Sequence, residues 1–190
     1  MRLLTSLILI LAATSAAADP LGLVDYDRLF IKHVSNVEVS DNGEMVLKLP
    51  GNVAILRQPN AATNGGNITA VDFSKIGAVG CAASLYALIE AVAKSCDGSF
   101  SPDQIAKLET YRGELLDYYA DNTYPAASRA SVQNAYDAYV ARLAPQNPAS
   151  CKRVSAERKA FFDFMTSERM RPEFDALLSE PRLPVANPCL

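Results

Sequence analysis

The residues of this chain with the widest chemical repertoire are four cysteines and a single histidine, His33. The cysteines do not form a Cys-x-x-Cys pair, the spacing typical of thiol–disulfide exchange and of zinc sites. Histidine titrates near neutral pH and is the commonest zinc ligand, so a chain with one histidine is poorly equipped for acid–base catalysis or metal binding. We therefore expect no catalytic residues, no metal site and no cofactor.

The cysteines are better suited to structural disulfides. Cys81 and Cys96 lie on one predicted helix, about 22 Å apart at 1.5 Å per residue, whereas a disulfide needs Cα atoms within about 7 Å. Consecutive helices joined by short loops run antiparallel, which brings Cys151, at the start of the fourth helix, back to Cys96. We predict the disulfides Cys96–Cys151 and Cys81–Cys189.

Carboxylates are the next candidates for catalysis. Glycoside hydrolysis uses two opposed carboxylates, and four candidates lie on the second helix predicted below or directly after it: Glu109, Glu114, Asp117 and Asp121. Their spacing is typical of the solvated face of a helix. A carboxylate-dependent cell-wall hydrolase therefore stays open as an alternative function, and the sequence leans against an enzyme.

Tyrosine is concentrated in one part of the chain. Six of the eight tyrosines lie between residues 111 and 139, and four of these fit the apolar stripes of two helices and are expected in the core: Tyr111, Tyr118, Tyr136 and Tyr139. Tyr119 and Tyr124 lie off the stripes near a turn, and Arg112 and Arg129 are not far along the chain. Exposed tyrosine and arginine are enriched in protein interfaces. We take Arg112, Tyr119, Tyr124 and Arg129 as candidate binding residues.

An export signal is predicted ahead of all these residues. Arg2 precedes an apolar run over residues 3–13, and small residues at 16–18 precede Asp19, an order typical of a cleavable signal peptide. Without residues 1–18, 17 of the 18 basic side chains remain against 21 acidic ones, a net charge of −4. The run is too short to span a bilayer. We expect a periplasmic or secreted protein with no membrane span after cleavage.

The first part of the mature chain predicts a small β meander. Residues 34–57 alternate between apolar and polar side chains, the period of a half-buried strand. Asp41-Asn42-Gly43 predicts a tight turn between the first two strands, and Pro50-Gly51 separates the second from a third. Residues 58–67 have no apolar period and are expected to form a loop.

From residue 74 the apolar period becomes helical. It predicts helices over residues 74–96, 101–120, 125–144 and 151–170, then a short one between Pro172 and Pro181. The first, rich in small residues, is expected to be central. Ser101-Pro102-Asp103-Gln104 combines an N-cap serine, proline at the first helical position and glutamine at N3, a capping box. In the fourth helix we expect Val154, Phe161 and Met165 to be buried.

Together these patterns predict an α+β fold that is predominantly α, with a short N-terminal antiparallel β meander packed on a four- or five-helix bundle that contains two disulfides. Residues 19–190 are expected to form one domain, in which 19–73 are the meander and its loop and 74–190 are the disulfide-stapled bundle. The acidic and basic residues are interleaved, which disfavours nucleic acid as a partner.

The function expected from these features is that of an exported binding or interaction protein with a protein partner in the envelope. One such role is to recognise or inhibit an envelope or secreted enzyme. The alternatives are the hydrolase described above and a structural accessory of an envelope assembly.

Overall fold

A computed structural model describes residues 18–59, 67–96, 98–144, 151 and 156–189 of the chain. These residues form an α+β structure with a four-stranded antiparallel sheet, six α-helices and two disulfides. The predicted signal peptide, except Ala18, and Val154 lie outside the described residues. Within the described ranges, no helix has the length and apolarity needed to cross a membrane.

The sheet is a meander whose strands pair in the order of the chain. Its strands are β1 (Val37–Val39), β2 (Met45–Leu49), β3 (Val53–Gln58) and β4 (Asn67–Asp72). Sequence analysis predicted three strands and missed β4, which follows a stretch of sequence without an apolar pattern. The fourth strand is formed by pairing with β3 along its whole length, a tertiary signal that a short stretch of sequence does not carry.

Both predicted turns of the meander are present. Gly43, between β1 and β2, has φ of 81°. Gly51 and Asn52, between β2 and β3, have φ of 75° and 59° and lie in a three-residue connection closed by the pair of Leu49 and Val53. Glycine and asparagine occupy these positions because they adopt the left-handed region with the least strain.

One face of the sheet has its own apolar core. Leu47, Ile55 and Ala70 lie side by side on β2, β3 and β4 and are fully buried. A short helix, α1 (Tyr26–Lys32), adds Leu29 and Phe30 to the same cluster. Sequence analysis missed α1 because seven residues are too few to establish a helical period.

Five further helices build the larger core. They are α2 (Val79–Ser95), α3 (Pro102–Asn122), α4 (Arg129–Leu143), α5 (Ala156–Met165) and α6 (Arg171–Leu178). α2, α3 and α4 contact one another, and α5 and α6 add side chains to the same cluster. The largest fully buried side chains of this core include Tyr86, Tyr119, Tyr136, Phe174, Ile89, Leu115 and Leu116.

The residues next to the first turns of α2 and α3 determine where these two helices begin. α3 begins with the predicted capping box, in which the Ser101 hydroxyl accepts from the backbone N–H of Gln104 at 3.3 Å and the Gln104 side chain accepts from the Ser101 N–H at 2.9 Å. α2 begins later than predicted. Lys75 and Gly77 have φ of 70° and 94°, which interrupts the right-handed helix before Val79.

α5 is rotated relative to the prediction. Phe162 and Met165 are buried, whereas Phe161, predicted in the core, is exposed. The buried Phe162 ring stacks on Phe100 with centroids 5.7 Å apart. Phe161 and its neighbour Phe164 are therefore on the outside of the helix.

The C-terminal tail packs against α2 through backbone contacts as well as through the predicted disulfide. The backbone N–H of Gly80 donates to the Val185 carbonyl at 2.8 Å, and the N–H of Ala186 donates to the Ala18 carbonyl at 3.0 Å. A Cβ on Gly80 would lie 2.6 Å from the carbonyl carbon of Val185. Only glycine therefore lets the tail approach α2 this closely.

A buried ion pair joins the tail to the sheet. The Nε of Arg182 donates to the Oδ2 of Asp72 at 2.6 Å, and their side chains are 0% and 1% exposed. The other guanidinium nitrogens donate to the carbonyls of Gly77 at 2.9 Å and Glu180 at 3.2 Å. The Tyr118 hydroxyl accepts from the Arg182 backbone N–H at 3.0 Å. This one arginine therefore contacts four parts of the chain: strand β4, the turn that precedes α2, helix α3 and the tail itself.

The two disulfides pair as predicted. Cys96 bonds to Cys151 with Cα atoms 5.5 Å apart, and Cys81 bonds to Cys189 with Cα atoms 5.0 Å apart. The first links the end of α2 to the segment before α5. The second links the start of α2 to the tail, next to the ion pair that holds it.

Candidate functional site

The two tyrosines proposed as binding residues lie in different parts of the interior. The structure corrects the placement of Tyr119, which is 0% exposed and lies in the helical core. Burial raises the pKa of its hydroxyl. Tyr124 is half-buried against the sheet core, and the Lys32 ammonium lies 4.5 Å from its ring centroid, a cation–π contact. A continuous tyrosine surface is not formed.

The two arginines proposed with them are occupied within the chain. Arg112 donates to the Glu90 carboxylate at 3.0 Å, and Arg129 donates to Asp117 at 2.6 Å. Arg112 lies two turns of α3 before Tyr119, and Arg129 starts the next helix. The structure therefore does not bring these four residues together as one exposed patch.

Of the four candidate catalytic carboxylates, Glu109 and Asp121 are exposed, and Glu114 and Asp117 are paired with arginines. Two oxygens of Glu114 accept from the Arg171 guanidinium at 2.7 and 2.9 Å, a bidentate pair of the strongest geometry for these groups. Asp117 holds Arg129 as described above. Throughout the described ranges, no cluster of three His, Cys, Asp or Glu side chains is arranged to hold a metal ion.

The carboxylate of Asp19 is buried near Tyr26 and Tyr119. Asp19 accepts hydrogen bonds from the backbone N–H groups of Leu21 at 3.0 Å and Val24 at 2.9 Å, and from that of Leu23. Burial raises the pKa of Asp19, and these hydrogen bonds act in the opposite direction. Its negative charge in turn raises the pKa of Tyr119. Three backbone donors to one carboxylate are typical of a side chain that fixes a turn.

An apolar groove of about 340 Å³ lies between α2, α5 and α6. Its floor follows one side of the start of α2, where the N-cap residue Ala78 is followed by Cys81, Ala82 and Leu85 at the spacing of successive helical turns. Its walls include Phe161, Phe164 and Met165 of α5 and Leu177 of α6. Small side chains on the floor and large ones on the walls make the groove concave.

Three large apolar side chains at this groove are exposed to solvent. Ile76 and Phe161 are each 38% exposed, and Phe164 is 43% exposed. A single exposed apolar side chain is ordinary, but several around one concave surface are typical of a binding site. Phe161 and Phe164 are three residues apart on α5 and therefore share one face of the helix.

The charge at the groove is negative. Among the described residues that line it, Glu173 is the one charged side chain. It lies in the first turn of α6, where the helix dipole stabilises a carboxylate. Its neighbour Asp175 pairs with Arg171, whereas the ion pairs of the described ranges do not include Glu173. No cation of the described residues is therefore paired with this carboxylate.

A second apolar surface lies beside α1 and β1. It encloses about 460 Å³ and is lined by Phe30, Val37, Met45 and the three strongly exposed side chains Ile31, Val34 and Val39. Because these three project into solvent, the surface is open. Its charged groups, Asp27 and Arg57, are already paired with each other. The groove on α2, α5 and α6 is the better candidate site because it is walled by three helices.

Sequence reasoning did not find this groove, although a signal was present. The stretch Phe161-Phe162-Asp163-Phe164-Met165 places three phenylalanines where successive helical residues differ by about 100° in direction. One helix face cannot bury all three rings, so some must be exposed or meet a partner. Phe161 and Met165 were predicted in the core because their spacing of four residues fits a buried stripe.

The groove can act by noncovalent binding. Its cysteine, Cys81, is in a disulfide and is therefore not a nucleophile, and its one charged group is a carboxylate. Its size is within the range of small binding pockets, about 300 to 1,000 Å³. No family model, curated protein or solved structure matches this chain.

Proposed function

We propose that the protein is an exported binding protein that holds an apolar segment of a partner polypeptide in the groove between α2, α5 and α6. The observation that carries the proposal is the pair of exposed rings, Phe161 and Phe164, above an apolar floor. Burying such surface stabilises association by roughly 25 cal/mol per Å² of apolar area. The contact would not need a catalytic residue.

The location is part of the same proposal. Two disulfides are typical of proteins that fold in an oxidising compartment, and residues 1–18 have the order of a secretion signal. In this proposal residues 19–190 act as one domain in the periplasm or outside the cell. The sheet and tail support the bundle of helices that carries the groove.

The possible functions of such a binding protein differ in the partner whose segment the groove would hold. Recognition or inhibition of an envelope or secreted enzyme would place an apolar segment of that enzyme in the groove. A structural accessory would place there a segment of an envelope assembly. The observations disfavour the hydrolase alternative, because Glu114 and Asp117 are each paired with an arginine. The other two candidates, Glu109 and Asp121, are exposed.

The proposal is tested by selection from a displayed library of peptides. Every position of its peptides is randomised, so the spacing of apolar residues in the enriched peptides is itself a result of the selection. We expect the purified protein to enrich peptides from this library. Phe164→Ser should weaken binding of an enriched peptide by about tenfold, since the variant loses about 1.4 kcal/mol of apolar contact. Affinity is measured by fluorescence anisotropy of the labelled peptide.

A matched control tests the site. Phe73 is 61% exposed and lies outside the groove, so Phe73→Ser removes the same side chain elsewhere and should leave affinity unchanged. Absence of enrichment would contradict the proposal. So would an equal loss of affinity in the Phe73 and Phe164 variants.

A further inference from the structure

We infer that the segment held in the groove is a cationic amphipathic helix that places a lysine or arginine against Glu173. The inference rests on the proposed function and adds the conformation and the charge of the partner. Two features of the groove carry it: the length and composition of its floor, and the carboxylate on its wall.

The floor has the length of two helical turns. From the N-cap residue Ala78 to Leu85, the first two turns of α2 rise by about 10 Å. A partner helix laid along this length presents side chains i, i+3, i+4 and i+7 to the groove. An extended partner covers the same length with about three residues, of which alternate ones face inward. A helix therefore offers about twice as many apolar contacts.

The composition of the floor also suits a helix. Ala78 and Ala82 leave space between the rings on α5 and the aliphatic side chain of Leu177. Large side chains of an incoming helix fit between such small residues, as ridges of one helix fit into the grooves of another. The exposed rings of Phe161 and Phe164 then cover the sides of the bound helix.

The carboxylate of Glu173 gives the partner its charge. A polar group buried under a bound apolar segment without an opposite charge loses hydration without compensation. A partner with Glu or Asp at this position would add repulsion between like charges, whereas Lys or Arg would pair with Glu173. The aliphatic part of a lysine or arginine would also pack against the apolar wall. The groove therefore selects for a cation beside apolar residues.

The same peptide selection tests this inference, with the charge of Glu173 varied. Wild type should enrich helices that carry Lys or Arg at one polar position. Peptides enriched by the Glu173→Gln variant should keep the apolar pattern but show no preference for a cation. Glu173→Lys should reverse the preference to Asp or Glu. A wild-type peptide should bind Glu173→Gln about fivefold more weakly, the range of an exposed ion pair, and salt should reduce this difference.

The outcomes separate the inference from the function on which it rests. If all three forms enrich the apolar pattern with no change in charge preference, the inference is wrong and the binding function stands. If the enriched peptides lack the i, i+3, i+4, i+7 pattern in a helix, the conformation is wrong. If wild type enriches nothing, or Phe164→Ser enriches the same peptides equally, the proposed function itself fails. Concentration-dependent dimers that Phe164→Ser prevents would assign the groove to a second copy, against a cationic partner.

Glu173 is a suitable position for this test because it is exposed on a short helix. Its substitution removes no buried contact, and the expected change in stability is within about 0.5 kcal/mol. Thermal unfolding of each variant checks this directly. Altered charge preference in a variant of unchanged stability is an effect that a merely structural role of Glu173 would not produce.

Discussion

Replacing both Cys81 and Cys189 by serine is expected to lower the free energy of unfolding by about 5 kcal/mol. This disulfide closes a loop across a sequence separation of 108 residues. In the chain-entropy model, a crosslink over that distance removes about 5 kcal/mol of conformational entropy from the unfolded chain. Urea unfolding under oxidising conditions, with linear extrapolation to water, measures the difference.

The second disulfide is the internal comparison for this result. Cys96 and Cys151 are 55 residues apart, and their double serine variant should lose about 4 kcal/mol. The two losses are similar because loop entropy grows only with the logarithm of loop length. A loss below about 1 kcal/mol for the Cys81–Cys189 pair would show that the tail is held by its other contacts.

Arg182→Met is expected to lower the free energy of unfolding by about 3 to 5 kcal/mol. The substitution leaves the Asp72 carboxylate buried without its cation, which costs much more than the net value of the pair itself. It also removes the donors to the carbonyls of Gly77 and Glu180. The effect is measured by the same urea unfolding.

A double-mutant cycle shows whether the charge pair causes the loss. Asp72→Asn combined with Arg182→Met leaves neither charge buried, so the double variant should be more stable than the sum of the single losses predicts. Arg169→Met, at an exposed arginine, should change stability by less than about 0.5 kcal/mol. Additive losses in the cycle would contradict a coupled ion pair.

The features that the sequence predicted well are those fixed by local geometry. The rise of an α-helix excludes a bond between Cys81 and Cys96, and short helix connections select among the remaining pairings. Gly43 and the Ser101 capping box are similarly local, because a turn conformation and a helix N-terminus each depend on a few adjacent residues. None of these needed knowledge of distant contacts.

The features that the sequence missed depend on contacts between distant segments. β4 forms against β3, and the bridge between Val71 and Asn187 adds the tail beside it. The position of the tail also needs the Arg182–Asp72 pair, which joins residues 110 apart in sequence. Neither segment has an apolar period of its own that would reveal these partners.

The candidate site shows the same limit. An apolar stripe predicts which side of a helix is buried when one side faces the core, but α3 packs against both α2 and α4. Tyr118 and Tyr119 are therefore both buried, and being off the stripe did not imply exposure for Tyr119. Conversely, Phe161 lay on an apparent stripe and is exposed, because Phe162 occupies the core position.

The claim that the groove on α2, α5 and α6 is where this protein binds is tested most directly by amide ¹H–¹⁵N spectra of the protein titrated with a selected cationic helix. The predicted result is a set of chemical-shift changes concentrated at residues 76–85, 161–165 and 173–177, with residues 31–39 unchanged. Shift changes concentrated at residues 31–39, or absent from the groove at saturating peptide, would contradict the claim.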